Sequence, residues 1–377
     1  MDLAFSPVQT EFGATLRDFL GEAQSTVTVV QELESEPAWD RAVWRRLACE
    51  IGVHGILVPE ASGGAGFGVA ELGVVFEELG RALVPGPYLA TLGLALPALL
   101  AADDEAARQE YLPGILAGTS VAALAYSEDC ADADDVVAAE RPHLATSARR
   151  ADGGWLLTGR KEYVLAGADA DLLLVTALTP DGVGLFAVDS AAQGLARTPL
   201  ATLDPTRQQA RIELRDTPAR PVGAAGSAGP VVAEALRTGC VLLAAEQVGA
   251  MAAALDLTVA YAADRTQFGR PIGSFQVVKH KAADMLVRLE AARSAELYAL
   301  WAAAAGAADR VRASRIAKIV CSEGAVFTAG RCMQVHGGIG FTWEHPAHLF
   351  LKRAKSSEVL LGSPAFHRER LVRELDR

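Results

Sequence analysis

Three clusters in this chain carry side chains able to do chemistry. The first is Arg265-Thr-Gln267-Phe268-Gly-Arg-Pro-Ile-Gly-Ser-Phe-Gln276, lying between two long helical patterns. A guanidinium there can hold a phosphate through two parallel hydrogen bonds, although an arginine in a turn is often simply solvated. The second is Gln334-Val-His-Gly337-Gly338-Ile-Gly340-Phe341, where a helical pattern stops. Paired glycines after a helix bring backbone N–H groups within reach of a ligand, because no Cβ intervenes. The third is a set of carboxylates able to act as a base. Glu246 stands in Ala244-Ala-Glu-Gln-Val-Gly249, a small and apolar stretch that either raises its pKa or supplies a partner to hold it. Glu358 stands one helical turn before Leu361-Gly362-Ser363.

Bulk properties narrow the setting. The chain has 377 residues, 51% of them hydrophobic, and a net charge of −11. That charge disfavours nucleic acid and an anionic membrane surface as partners. No apolar run approaches the roughly 18 residues of a membrane span. The five cysteines (Cys49, Cys130, Cys240, Cys321, Cys332) lack metal-ligand spacing and read as free thiols of a reducing compartment. No metal is expected, and the N-terminus MDLAFSPVQTEF lacks the marks of a secretory signal, so a cytoplasmic location is expected.

The elements that must position these clusters fall into three blocks. Residues 1–120 read as helices: Ser6-Pro7-Val-Gln9 is a capping box, Gly52 closes a second helix, and further helices cover 70–83, 89–102 and 104–112. The loop 55–68 is rich in glycine, but its spacing fits no nucleotide fingerprint. Residues 121–222 alternate short apolar runs with Gly, Asp and Pro, as in a β-barrel or sandwich. Separate strands are predicted over 155–158 and 162–165, and a linker over 218–230. Residues 223–377 read as four long helices, over 231–264, 276–305, 310–335 and 346–375, which suggests an antiparallel bundle. The fold class is α+β.

Taken together, Arg-x-x-Phe-Gly-x-x-Ile-x-x-x-Gln, Gln-x-x-Gly-Gly-x-Gly-Phe and the α, β, α order resemble the acyl-CoA dehydrogenase family over essentially the whole chain. The resemblance implies FAD as cofactor, an acyl-CoA as substrate, α,β-dehydrogenation in lipid β-oxidation, and an electron-transfer flavoprotein as acceptor. It assigns Arg265, Gln267, Phe268 and Gln276 to FAD contacts, with Gln334, Gly337 and Gly338 reaching the same FAD from a neighbouring subunit, and so implies an oligomer. Ser127 and Tyr163 would face the flavin, and Ser363 belongs to the same site. The chain also departs from the family pattern. The segment that lines the flavin in relatives reads Ser127-Glu-Asp-Cys-Ala-Asp-Ala-Asp134 here, and Leu165 replaces a hydroxyl. The acids Asp129, Asp132, Asp134 and Asp135 read as a solvated loop. The family's usual glutamate base is Leu361 here, and the alternative position, at or next to Gly239, is empty as well. Three readings follow: a dehydrogenase using Glu246, Glu358 or a partner's group; a non-catalytic subunit that completes the FAD site of a second chain; or a flavin- or CoA-binding protein without redox activity.

Overall fold

A computed structural model describes residues 4–23, 29, 33, 38–128, 144–151 and 154–375. The acidic run from Asp129 to Asp135 lies outside them. The chain divides into two compact units, one of residues 1–39, 69–85 and 240–377, the other of residues 40–68 and 86–239.

In the first unit, helix α1 (Pro7–Ala23) starts with the expected capping box. Ser6 N donates to Gln9 Oε1 at 2.8 Å, and Gln9 N donates to Ser6 Oγ at 3.2 Å. Helix α1 packs on α3 (Val69–Arg81), whose buried face is Leu72, Val75, Phe76 and Leu79. The long helices are α6 (Ala228–Asp264), α7 (Gln276–Ala304) and α8 (Arg310–His336). They are rich in alanine, so their backbones approach closely around a core that includes Val248, Met251, Met285, Leu289 and Cys321. At two points a glycine is obligatory. A Cβ on Gly80 would lie 2.0 Å from the Glu246 carbonyl oxygen, and one on Gly249 would lie 1.8 Å from that of Glu77. Helix α6 is also the one described helix long and apolar enough to cross a membrane, but 78% of its most apolar window is buried in the fold.

The fourth bundle helix is not continuous. It is α9 (Ala347–Val359) followed by α10 (Pro364–Leu375). The break arises because Leu360 is extended, Leu361 takes φ +59° and Gly362 takes φ +98°. Pro364 then suits the first turn of α10.

The second unit contains helix α2 (Arg41–Arg46), capped by the Asp40 side chain and running on as a π-helical segment to Ile51. Gly52 ends it at φ +79°, as the sequence predicts. Helix α4 (Leu96–Ala101) leads to α5 (Glu105–Leu116), which passes through Pro113 rather than stopping at Leu112. The proline removes only its own N–H, and Leu112 and Ile115 on either side of it are buried.

Seven strands form one sheet: β1 (Ala122–Ala125), β2 (Ser147–Ala151), β3 (Gly154–Leu165), β4 (Leu172–Thr179), β5 (Gly182–Asp189), β6 (Leu195–Pro199) and β7 (Gln209–Val222). The pairings run β1-β4-β2-β3-β7-β5, and β5 pairs with β4 again, which closes the sheet into a barrel. The two strands predicted over 155–158 and 162–165 are one strand, β3, bent by bulges between Leu157 and Gly159 and between Lys161 and Val164. The predicted linker also begins too early. Pro218 sits within β7 opposite Leu156, beside the first bulge, where a missing N–H is tolerated. In the glycine-rich loop, the N–H groups of Gly63, Gly64, Ala65 and Gly66 bond to the loop's own carbonyls. None of those four is left to cradle a phosphate.

Candidate functional site

The arginine string folds as a β-hairpin, Thr266–Gln267 against Arg270–Pro271, between α6 and α7. Its two central residues, Phe268 and Gly269, take φ +54° and +74°, the left-handed pair of a type I′ turn. Arg265 at the foot is fixed through its backbone: its N–H bonds Tyr261 O at 2.9 Å and its carbonyl accepts from Ile272 N at 2.8 Å. The guanidinium is exposed and makes no hydrogen bond or ion pair among the described residues. Phe268 at the tip is 91% exposed and meets Phe275 edge-on at 6.1 Å. The Gln267 side chain donates to Thr266 O, and Gln276 opens α7 on its exposed side.

At the end of α8, Gly337 takes φ +62° and ψ −136°, a conformation open essentially to glycine. Gly338 has an ordinary φ. A Cβ at either position would meet nothing within 4 Å. Internal packing therefore gives no reason for glycine at 338, whereas an external group approaching the backbone does. Gln334 accepts from Lys281 and, at 3.0 Å, from Arg331. The Tyr261 ring stacks on His336 at 4.4 Å, and His336 meets His345 at 4.3 Å. Arg265 lies one turn past Tyr261 and Gly337 directly follows His336. The Tyr261–His336 stack therefore ties the end of α6 to the end of α8 within one chain. An exposed guanidinium without a partner among the described residues and an open glycine pair each suit an anionic ligand such as a pyrophosphate.

In the barrel unit, Tyr163 is the bulge residue of β3, at φ +55° and 46% exposed. A β-bulge turns a side chain out of the alternation at a cost in backbone strain, which is common at ligand-facing edges. Glu162 N donates to Ser127 O at 2.9 Å, so Ser127 and Tyr163 sit side by side. This edge is anchored from within. Lys161, fully buried, donates to Glu128 Oε1 at 2.7 Å and to Thr176 Oγ1 at 3.1 Å. Burial pushes the Lys161 ammonium down to about 8, with the Glu128 charge opposing it. Desolvation pushes the Glu128 carboxyl up, but Lys161 and the bonds from Thr146 and Ala145 more than offset this and leave it below its ordinary value. From the sequence, Lys161 has a role only in strand register.

Neither base candidate stands free. Glu246 is buried, with Arg353 Nη1 on its Oε1 at 2.7 Å. Arg353 also bonds Val84 O at 3.3 Å. The adjoining cavity measures about 10 Å³, enough for one water and not for a substrate. The surroundings of Glu246 favour a structural ion pair: the carboxylate is sealed in a helix core against an arginine, with no space for a substrate beside it. Glu358 pairs with Lys355 at 3.0 Å on the surface of α9. Ser363 uses its hydroxyl to cap α10, accepting from Phe366 N at 3.2 Å.

Leu361, where a base is expected, has its carbonyl held by His367 Nε2 at 3.0 Å. Just before it, buried Lys318 donates to the Ser357 and Glu358 carbonyls at 2.9 and 3.1 Å. Burial holds His367 down at about 4, so it is neutral here. Neither Lys318 nor His367 stands out in the sequence. A lysine in an otherwise apolar helical face is the one available signal for the former.

Residues 6–119 match the acyl-CoA dehydrogenase N-terminal domain, and residues 229–375 match the acyl-CoA dehydrogenase C-terminal domain. Acyl-CoA dehydrogenase IpdE2 of Mycobacterium tuberculosis is 35% identical, over 96% of this chain and 95% of its own length. Among solved structures, a single-residue variant of the Tcur3481-Tcur3483 steroid ACAD is 33% identical, with a TM-score of 0.84 over 98% of this chain and 97% of that one. The ChsE4-ChsE5 complex of Mycobacterium tuberculosis is 28% identical, with a TM-score of 0.89 over 100% and 99%. The chain belongs to the acyl-CoA dehydrogenase family, whose members are FAD-dependent oxidoreductases that dehydrogenate acyl-CoA at the α,β position.

Proposed function

We propose that this chain works in a hetero-oligomeric acyl-CoA dehydrogenase, completing an FAD site while a second acyl-CoA dehydrogenase-like chain supplies the base. The observation that carries this reading is the state of the three base positions. Leu361 has no titratable group, Glu246 is locked against buried Arg353, and Glu358 is paired on the surface. Dehydrogenation needs a carboxylate within reach of the α proton. Two structural neighbours support the reading by analogy, since their names each join two chains.

FAD, when bound, supplies the two-electron acceptor. Arg265 would grip its pyrophosphate through two N–H groups, and Gln334, Gly337 and Gly338 of a neighbouring subunit would reach the same FAD. Gln267, Phe268 and Gln276 would join Arg265 in holding FAD, and Ser127 and Tyr163 would meet a flavin ring. Phe268, Val277, Phe341 and Trp343 are large apolar residues left exposed in and around the two motifs. Such residues argue for a covering chain. An electron-transfer flavoprotein would then reoxidise the assembly.

Purification of the chain alone and together with a base-bearing relative tests this. The chain alone should fail to bleach flavin with any acyl-CoA, and the pair should gain flavin and activity. Rapid bleaching by the isolated chain would overturn the proposal in favour of a self-sufficient enzyme.

A further inference from the structure

Helices α3 and α7 pack together with Leu300 against Gly73, and one turn along each lies a carboxyl group unused elsewhere, the half-buried Glu77 on α3 and the buried Glu296 on α7. Glu296 is 0% exposed, and neither of its carboxylate oxygens has a donor among the described residues. Glu77 Oε1 is equally without one. A bare carboxylate there would forfeit its hydration with nothing in return.

The cations around the pair bond other groups, and their charges, Arg293 foremost, only partly offset the desolvation of the two carboxyls. Arg17 on α1 is held by Glu78 at 2.6 Å. Arg81 on α3 reaches Asp256 on α6 at 2.9 Å and Glu78 at 3.8 Å. Arg293 on α7 bonds Glu290 at 3.3 Å. Lys318 on α8 serves Ser322 and the carbonyls of Ser357 and Glu358. Cys321 on α8 is the remaining titratable neighbour, and burial pushes its thiol up, with Glu296 adding to the effect. The backbone of α6 packs on that of α3 here, since Gly249 lies against the Glu77 backbone carbonyl.

We propose that Glu77 and Glu296 share a proton as a carboxylic acid–carboxylate pair, a latch between α3 and α7 that tightens in acid and weakens in alkali. Two carboxyl groups in contact cannot both ionise without strong repulsion. With one proton between them, one of the three orphaned oxygens is linked to another by a hydrogen bond across the pair. Desolvation, then the neighbouring Glu77 charge, raises the Glu296 carboxyl well above its ordinary value. Desolvation raises Glu77 as well.

The sign follows from linkage. The folded chain retains a proton that the unfolded chain has lost, so stability is greatest below the ordinary carboxyl value. It then falls as pH rises towards the raised one. One retained proton makes the unfolding equilibrium constant rise about tenfold per pH unit in that window.

The test is denaturant unfolding of the full chain in steps of one pH unit upwards from the ordinary carboxyl value, together with infrared spectroscopy of the native protein. Glu296→Gln keeps the shape and lets an amide donate to Glu77. It should remove the tenfold dependence and abolish a protonated-carboxyl band present in the wild type, and Glu77→Gln should do the same. Equal pH dependence in wild type and both variants would overturn the proposal, as would a wild-type spectrum without that band. Should Glu296→Gln fail to fold, the wild-type band alone decides.

Discussion

Glu246→Gln separates a structural carboxylate from a catalytic one. In the wild type the Glu246 carboxylate faces Arg353 at 2.7 Å, and the two side chains are each 6% exposed. The substitution leaves a guanidinium buried opposite a neutral amide. Breaking a buried pair by removing one partner costs about 3–5 kcal/mol. For a cooperative unit of this size, about 2–4 °C per kcal/mol gives a fall in Tm of about 6–20 °C. Calorimetry of purified variants measures this directly. The double variant Glu246→Leu, Arg353→Met removes both charges with similar volume and should recover most of the loss, since replacing a buried pair by apolar residues is often neutral. Flavin bleaching by acyl-CoA, measured on the assembled complex below both melting points, should be within a few-fold of wild type for the double variant. A Glu246→Gln protein with unchanged Tm and abolished bleaching would refute the reasoning and make Glu246 the base.

Further outcomes follow from other sites. Gly249→Ala should destabilise strongly, because its Cβ would lie 1.8 Å from Glu77 O, whereas Gly338→Ala should leave Tm unchanged and lower flavin content. Arg265→Gln should likewise lose flavin without losing Tm, as its guanidinium makes no contact among the described residues; unchanged flavin retention would remove it from the site. Leu361→Glu restores a carboxylate to the turn held by His367 and should give slow bleaching by acyl-CoA in the flavin-loaded variant; none at all would count against this turn as the base position. His54 is buried, with Nδ1 on Ile115 O at 2.8 Å, and burial holds it at about 4 against an ordinary 6.5. A histidine depressed in this way contributes stability above the ordinary value that is lost as pH falls through the folded one. About 3 kcal/mol should therefore disappear between those values, and a His54→Phe variant should show a shallower acid limb in denaturant melts.

Much of this protein is legible without coordinates wherever the information is local. The Ser6–Gln9 box and the Gly52 helix end each depend on a few consecutive residues with restricted backbone choices. The three-block order follows from a change in hydrophobic period. The two flavin motifs are likewise contiguous strings, so their residue types and spacing can be read directly. Pattern and fold diverge where two signals compete. Pro218 reads as a linker residue, yet a bulge lets β7 accommodate it, and Pro113 reads as a stop, yet buried neighbours carry the helix past it.

Which charges meet is a different matter, and only packing answers it. Glu246 alone in an apolar stretch is equally a base or half of an ion pair, and nothing near it in the chain names Arg353. Lys161 with Glu128, Lys318 with the turn before Leu361, and Glu77 with Glu296 are pairings of the same kind. Residue order was enough to establish the family and the fold. The fate of each remaining carboxylate depended on desolvation and on partners from distant helices, and both exist only once the chain has packed.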